Sequence, residues 1–485
     1  MSVLEGIEPV EVFKYFEEIC GIPHGSGNIK QISDYLVNFA KERNLRYIQD
    51  DSGNVIIFKD GTPGYEQSET VIIQGHMDMV CEKDNDCDID FTKDGLRLDV
   101  ADGYVYAKGT TLGGDDGIAV AYALAILDNA DGSIKHPPLE VVITVDEEIG
   151  LLGATALDCS VLKGKIFLNI DSEDEGIILV SCAGGVTAEC TLPVEFENKD
   201  DLEAYKIVVT GIAGGHSGVE INKQGANSNV VMGRILAGID KVSPLRIIDL
   251  NGGKKDNAIP RETVAIVGVS KYSNEEDMNT YIDNIGKVLA NEYRTTDSEI
   301  SVTIDKVAPV AKVMTKESTD KVICALRNLP NGVLKMNSDI EGLVQTSLNL
   351  GVLLTEEDRV RLHYSVRSSV GTEKDELTDR IDTLISMLGG HMELIGAYPA
   401  WEYNPDSKLR DIMVKTHIKL FNAAPKIEAI HAGLECGIFA GKIEGLDCVS
   451  YGPNMDDIHT SSEKLYIDST ARYWEYTKAI LKALK

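Results

Sequence analysis

Nowhere in this chain do eighteen uncharged apolar residues follow one another, so no stretch suits a membrane-spanning helix. Residues 1–20 carry many acids and lack the cationic flank and apolar core of an export signal, and a soluble, unexported, cytoplasmic protein is expected. No C-x-x-C pair occurs. The nine cysteines are odd in number and scattered from Cys20 to Cys448, which argues against a disulfide framework and fits reduced thiols, most of them inert in the core. Cations are scarce as well: 47 Lys and Arg against 78 Asp and Glu leave a formal charge of −31. Such a balance repels phosphate backbones and anionic bilayers, so nucleic acid and membrane are not expected as partners.

What is present is ample length. With 485 residues the chain exceeds the size at which a single core stops growing, and two or more domains are expected. From Val10 to about Gly185, strand-like runs alternate with helical ones, the pattern of an α/β domain. Strand candidates at 205–212 and 263–269 then flank a helical stretch at 227–239. A second round follows, with helices at 318–328 and 375–388 and strands at 343–350 and 359–366. From about Pro399 the chain returns to helix, strand and loop, ending in a helix near 469–484. We therefore expect a catalytic domain split into residues 1–185 and 399–485, with 186–398 inserted as two α/β sandwich units. Insertions of this kind commonly form lids.

Five segments each offer a metal-type ligand at the end of an apolar run or in a Gly-rich loop. They are G-H-M-D-M-V around His76 and Asp78, L-G-G-D-D-G around Asp115, T-V-D-E-E-I-G around Glu147 and Glu148, N-I-D-S-E-D-E around Asp171, and D-D-I-H-T-S around His459. The runs at 71–73, 141–145 and 166–168 read as strands buried on both faces of a largely parallel sheet, with their polar ends on one rim. Open α/β sheets bind ligands at that rim. Asp115 comes instead from a Gly-rich loop before a segment with Ala119, Tyr122, Ala123, Ile126 and Leu127 at helical spacing.

His76, Asp115, Glu148, Asp171 and His459 supply two imidazoles and three carboxylates, a set that suits two ions if Asp115 bridges them. The absence of cysteine from the set argues against a closed structural zinc site. Asp78 lies two residues after His76, so in an extended segment its carboxylate falls on the same side and can orient the imidazole. Of the pair Glu147 and Glu148, one can bind metal while the other serves as general acid or base.

These residues, with I-P-H-G-S-G at 22–27, G-T-T-L-G at 109–113 and H-A-G-L-E-C-G at 431–437, resemble the co-catalytic metallopeptidases that include carboxypeptidases, carnosinases and aminoacylases. The resemblance spans essentially the whole chain. It implies that Asp115 bridges two divalent ions, most often Zn2+ with Mn2+ or Co2+ as substitutes. It further implies that His76 and Asp171 complete one site, Glu148 and His459 the other, and that Asp78 supports His76 while Glu147 is the general base. By the same resemblance His216, in G-G-H-S, belongs to a lid and stabilises the oxyanion. Asn257, Arg367, His431 and Gly433 would receive the substrate's terminal carboxylate. Asp116 stands where relatives often carry Asn.

The activity implied is hydrolysis of dipeptides of broad side-chain preference, Xaa-His included. The partner is thus a dipeptide, and a homodimer stays open as the assembly. An N-acyl amino acid amidohydrolase would use the same metal site, and a noncatalytic peptide- or metal-binding protein on this scaffold is the rival of a different class. Retention of Glu147 counts against the latter, since a binding module needs no general base.

Overall fold

In the computed structural model, which describes residues 2–485, the expected apolar runs are strands. Val71–His76 and Leu139–Thr144 are buried at all six positions each, as strands covered on both faces must be. Their Val and Ile side chains suit the pleated backbone. Together with Ile166–Asn169 and Asp447–Ser450 they form four adjacent parallel strands at the centre of an eight-stranded sheet. The expectation of a largely parallel sheet holds for these four. On one flank Arg46–Gln49 and Val55–Lys59 run antiparallel, and on the other Ile177–Cys182 pairs antiparallel with 447–450.

Parallel register brings the strand ends level. His76 is opposite Thr144, Gln74 opposite Asn169, and Asn169 opposite Ser450. The chain therefore leaves all four strands at one rim, where His76, the 147–148 pair, Asp171 and the segment running to His459 follow.

Against this sheet lies the helix Gly114–Leu127, buried along its whole length. It is a core helix, apolar all round, not an amphipathic surface helix. Its close approach is permitted by Gly75, where a Cβ would come within 2.5 Å of both the Ala119 methyl and an Asp116 carboxylate oxygen. Gly113 precedes the helix at φ +68°, in the left-handed region that glycine adopts without penalty.

The chain divides into two units, Met1–Cys182 with Trp401–Ala429 and Leu434–Lys485, and Ala183–Ala400 with Ile430–Gly433. The second unit is built on a nine-stranded sheet in which every pairing is antiparallel. The two stretches of similar grammar, expected as separate sandwich units, share this one sheet. Leu245–Gly252 joins Val344–Thr355, and one core contains residues of both stretches, from Ile207 and Ile235 to Leu362 and Ile381. Helices Ser228–Val242, Glu275–Glu292, Lys316–Asn328 and Gly371–Met387 contribute to that core. The first of these starts where the Asn227 side chain accepts the N–H groups of Asn229 and Val230. On strand Arg359–Ser368 the core takes Val360, Leu362, Tyr364 and Val366, so Arg367 points to the opposite face. Among the described residues no helix is long and apolar enough to cross a membrane.

Candidate active site

In the first unit, two imidazoles address opposite oxygens of one carboxylate. His76 Nε2 lies 3.0 Å from Asp115 Oδ1, and His459 Nε2 lies 3.1 Å from Asp115 Oδ2. Asp171 Oδ1 is 3.6 Å from the same nitrogen of His76, and Glu148 Oε1 is 3.0 Å from that of His459. The ligand atoms of His76, Asp115 and Asp171 all fall within 4.8 Å of one another, as do those of Asp115, Glu148 and His459. A third set, His76 with Glu147 and Glu148, meets the same distance, so both members of the acidic pair are near enough to ligate.

Backbone geometry holds these groups at the rim. His459 sits at φ +60° and Asp146, just before the acidic pair, at φ +52°. Non-glycine residues keep such conformations only where surroundings over-determine them, which happens most at functional sites. Asp115 departs from helical geometry at φ −84°, ψ 105°, within the opening of the 114–127 helix.

Asp78 stands beside His76, though differently from the expectation. The nearest group to His76 Nδ1 is the main-chain carbonyl of Asp78, at 3.0 Å, while its carboxylate is 3.5 Å away. That carboxylate also accepts from the Glu147 N–H at 3.0 Å and the Ser26 hydroxyl at 2.7 Å. Asp78 thus ties the acidic pair's main chain to the strand that carries His76. The i,i+2 argument puts Asp78 on the correct side but does not weigh its carbonyl against its side chain.

The electrostatics of the cluster call for added positive charge. Among the described residues the ion pairs of Asp115, Asp171 and Glu148 are with histidines only, never with Lys or Arg. Burial opposes charge on His76, yet hydrogen bonds to Asp115, Asp171 and Asp78 outweigh it and raise its pKa. His459 is raised to about 11 by its hydrogen bonds to Asp115 and Glu148. Burial pushes Asp171 up to about 6 and, with nearby Asp171, Glu435 and Glu148, lifts Glu147 well above its ordinary range. Oxygen and imidazole donors, short of cationic partners and converging on two points, fit divalent ions.

Asp116 does not join the ligand sets. One carboxylate oxygen accepts the His76 N–H at 3.2 Å and the other is buried without a partner. Burial, followed by the charge of Asp171, raises its pKa well above the ordinary range.

The second unit holds a separate polar cluster. Arg367 is 8% exposed, donates from Nη1 to the Tyr398 hydroxyl at 2.8 Å, forms no ion pair with a carboxylate among the described residues, and has a buried Nε that bonds to nothing. On the neighbouring strand Ser347, opposite Arg367, contacts His431 Nε2 at 2.7 Å. His431 is pressed down to about 3 by burial and the Arg367 charge, so it is neutral, and its Nδ1 lacks a partner. Gly433 leaves room for the Tyr398 ring, which a Cβ would meet at 2.8 Å. Asn257 lies by His216 through the main chain, its carbonyl accepting the Ser217 N–H at 2.9 Å.

His216 has a defined tautomer. Its Nδ1 accepts the N–H groups of Gly218 at 3.2 Å and Val219 at 3.3 Å, so a neutral ring must carry its proton on Nε2. Burial and then the Arg367 charge lower its pKa, which keeps it neutral near pH 7. It is therefore a hydrogen-bond donor through Nε2.

Three acids near the metal-type cluster, Glu435 and Glu463 buried and Glu173 partly so, escape the sequence reading. Glu435 is fully buried and accepts from Thr144 at 2.7 Å and from Gln74. Its place inside H-A-G-L-E-C-G was an available signal. Glu173, raised by burial and the charges of Asp115 and Asp171 to about 8, and Glu463, held by the 112–115 main chain, sit in acid-rich or Ser-rich turns that read as solvated.

Comparison with known proteins adds an independent line. Residues 72–483 match the model of peptidase family M20/M25/M40. The chain is 38% identical over 486 residues to a protein of Escherichia coli named cytosol non-specific dipeptidase, covering 100% of this chain and 99% of that one. It is similar to the crystal structure of aminoacylhistidine dipeptidase from Vibrio alginolyticus, with a TM-score of 0.93, 36% identity, and coverage of 99% and 98% of the two chains. Aminopeptidase PepT from Bacillus cereus shares the fold at a TM-score of 0.57 and 17% identity.

The pKa shifts predict how the metal-free protein responds to pH. Asp171 at about 6 and Glu435 at about 7 keep protons in the folded state that an unfolded carboxyl, near 4, has released. A folded pKa above the unfolded one gives stability that is present below about pH 4 and lost as pH rises through 6 to 7. The raised histidines act in the same direction above their unfolded value of about 6.5. The melting temperature of the chelator-treated protein should therefore fall from about pH 5.5 to about pH 8, and added divalent ions should raise it most at the upper end. A metal-free melting temperature that climbs across this interval would contradict the assignment.

Proposed function

This chain belongs to peptidase family M20/M25/M40 and is a dipeptidase, and we propose that it cleaves its substrate with two divalent ions held on either side of Asp115. The observation that carries this reading is the pair of imidazoles on opposite oxygens of one buried carboxylate. His76, Asp115 and Asp171 would hold one ion and Asp115, Glu148 and His459 the other. Zinc is the first choice, with manganese or cobalt suited to the same donors. We also assign the protein to the cytoplasm, in keeping with its Escherichia coli relative's name.

When bound, the ions supply positive charge that acidifies a water and polarises the scissile carbonyl. The remaining work falls to the chain's own groups. Glu147, whose burial favours the protonated form, accepts the proton of the attacking water on its carboxylate and passes it to the leaving amine. The Asp78 carboxylate steadies the Glu147 main chain during this exchange. His216, neutral and protonated on Nε2, donates to the developing oxyanion. Arg367, a buried guanidinium in no ion pair among the described residues, receives the free carboxylate of the dipeptide, with Asn257, His431 and Gly433 shaping that pocket.

Turnover of a dipeptide panel, Xaa-His included, by metal-free protein reloaded with each ion tests the reading as a whole. Preference for N-acetylated substrates over free dipeptides would turn it into an amidohydrolase. Glu147→Gln should lower kcat by about 10² to 10⁴-fold with both ions retained. Parallel loss of metal and activity would make Glu147 a ligand instead.

Substrate length gives a second check. A dipeptide amide leaves the buried Arg367 guanidinium without its anion, which costs several kcal/mol, so kcat/KM should fall by about 10² or more. Arg367→Ala should erase most of that discrimination by slowing the free dipeptide. Equal rates on dipeptides, their amides and tetrapeptides would show an open-ended pocket and rule out this role for Arg367.

A further inference from the structure

Glu463 lies four residues beyond His459 and is 3% exposed. Among the described residues no Lys or Arg is recorded in an ion pair with it. Its carboxylate is taken up instead by four consecutive main-chain N–H groups. Oε2 accepts from Leu112 at 2.7 Å and Gly113 at 3.2 Å, and Oε1 accepts from Gly114 at 2.8 Å and, at a longer 3.4 Å, from Asp115. An acid in the S-S-E-K turn would ordinarily stay in water. A capping acid at a helix start engages one or two N–H groups, whereas here both oxygens are used and the last donor is the N–H of Asp115 itself.

The loop fits around this carboxylate. Gly113 takes the left-handed φ of +68°, and at Gly114 a Cβ would come 3.2 Å from Glu463 Oε1 and 2.9 Å from Met455 Sδ. The segment that carries His459 thus supplies both a group facing Asp115 Oδ2 and a clamp on the main chain of Asp115.

We propose that Glu463 is the positioning residue of the shared carboxylate. It fixes the Asp115 main chain against the His459 segment, so that both oxygens of Asp115 are aimed before any ion arrives. This rests on the two-ion reading of the site. The competing role is that of a fold tether, which would affect stability without affecting the ions.

The test titrates metal-free wild type, Glu463→Gln and Gly114→Ala with Co2+ by calorimetry, following the visible absorption of the bound ion and the melting of the metal-free proteins. In Glu463→Gln an amide NH2 replaces one acceptor and faces two N–H donors. We expect the folded variant to bind Co2+ about 10- to 100-fold more weakly, with an altered absorption band. Its kcat should fall while KM for a dipeptide changes little. Gly114→Ala keeps the carboxylate but crowds it, and should weaken binding in the same direction by less. Wild-type Co2+ affinity and spectrum in folded Glu463→Gln would overturn the proposal, even with a lowered melting temperature, because that is the signature of a tether. If Glu463→Gln does not fold, unchanged affinity in Gly114→Ala overturns it equally. Wild-type protein that binds fewer than two ions, or leaves dipeptides intact, would instead overturn the reading of the site itself.

Discussion

The carboxylate of Asp115 is shared between two imidazoles, one from 39 residues before it and one from 344 residues after. A single side chain has two oxygens and one set of torsions, so both partners must be placed by rigid structure. The four parallel strands provide it, because equal register brings 76, 147–148, 171 and the run to 459 to the same rim. The buried helix 114–127 provides the other half by seating Asp115 against the strand of His76, an approach that Gly75 leaves open.

The charge logic of the two units is opposite. In the first, carboxylates converge and, among the described residues, their ion pairs are with histidines, which suits a cation. In the second, one buried guanidinium is surrounded by neutral groups, a Tyr hydroxyl and histidines held uncharged, which suits an anion. The depressed pKa values of His216 and His431 follow from burial beside Arg367, which keeps His216 neutral, while the N–H groups of Gly218 and Val219 on its Nδ1 leave Nε2 the donor.

Much of the first unit is legible in the sequence because burial on both faces leaves a plain mark: Val71-Ile72-Ile73 and Val141-Val142-Ile143 are fully apolar and then turn polar at the rim. The residues at those ends are the ones the structure gathers. Strand direction is another matter. Hydropathy does not encode which neighbour a strand pairs with, so the antiparallel flanks and the join of 245–252 to 344–355 lie beyond it. Helix Glu275–Glu292 does carry a signal, Met278, Ile282, Ile285 and Leu289 at helical spacing, which the strand-and-helix grammar does not include. Glu463 carries none, since an acid among serines has the composition of a solvated turn and only its four N–H partners reveal it.

The central claim is that one carboxylate organises two cation sites, and an anomalous difference map of crystals of the metal-loaded protein tests it most directly. The account predicts two peaks about 3.5 to 4 Å apart, one between His76 and Asp171, the other between Glu148 and His459, each beside a different oxygen of Asp115. A single peak, or a second peak away from Asp115, would contradict it.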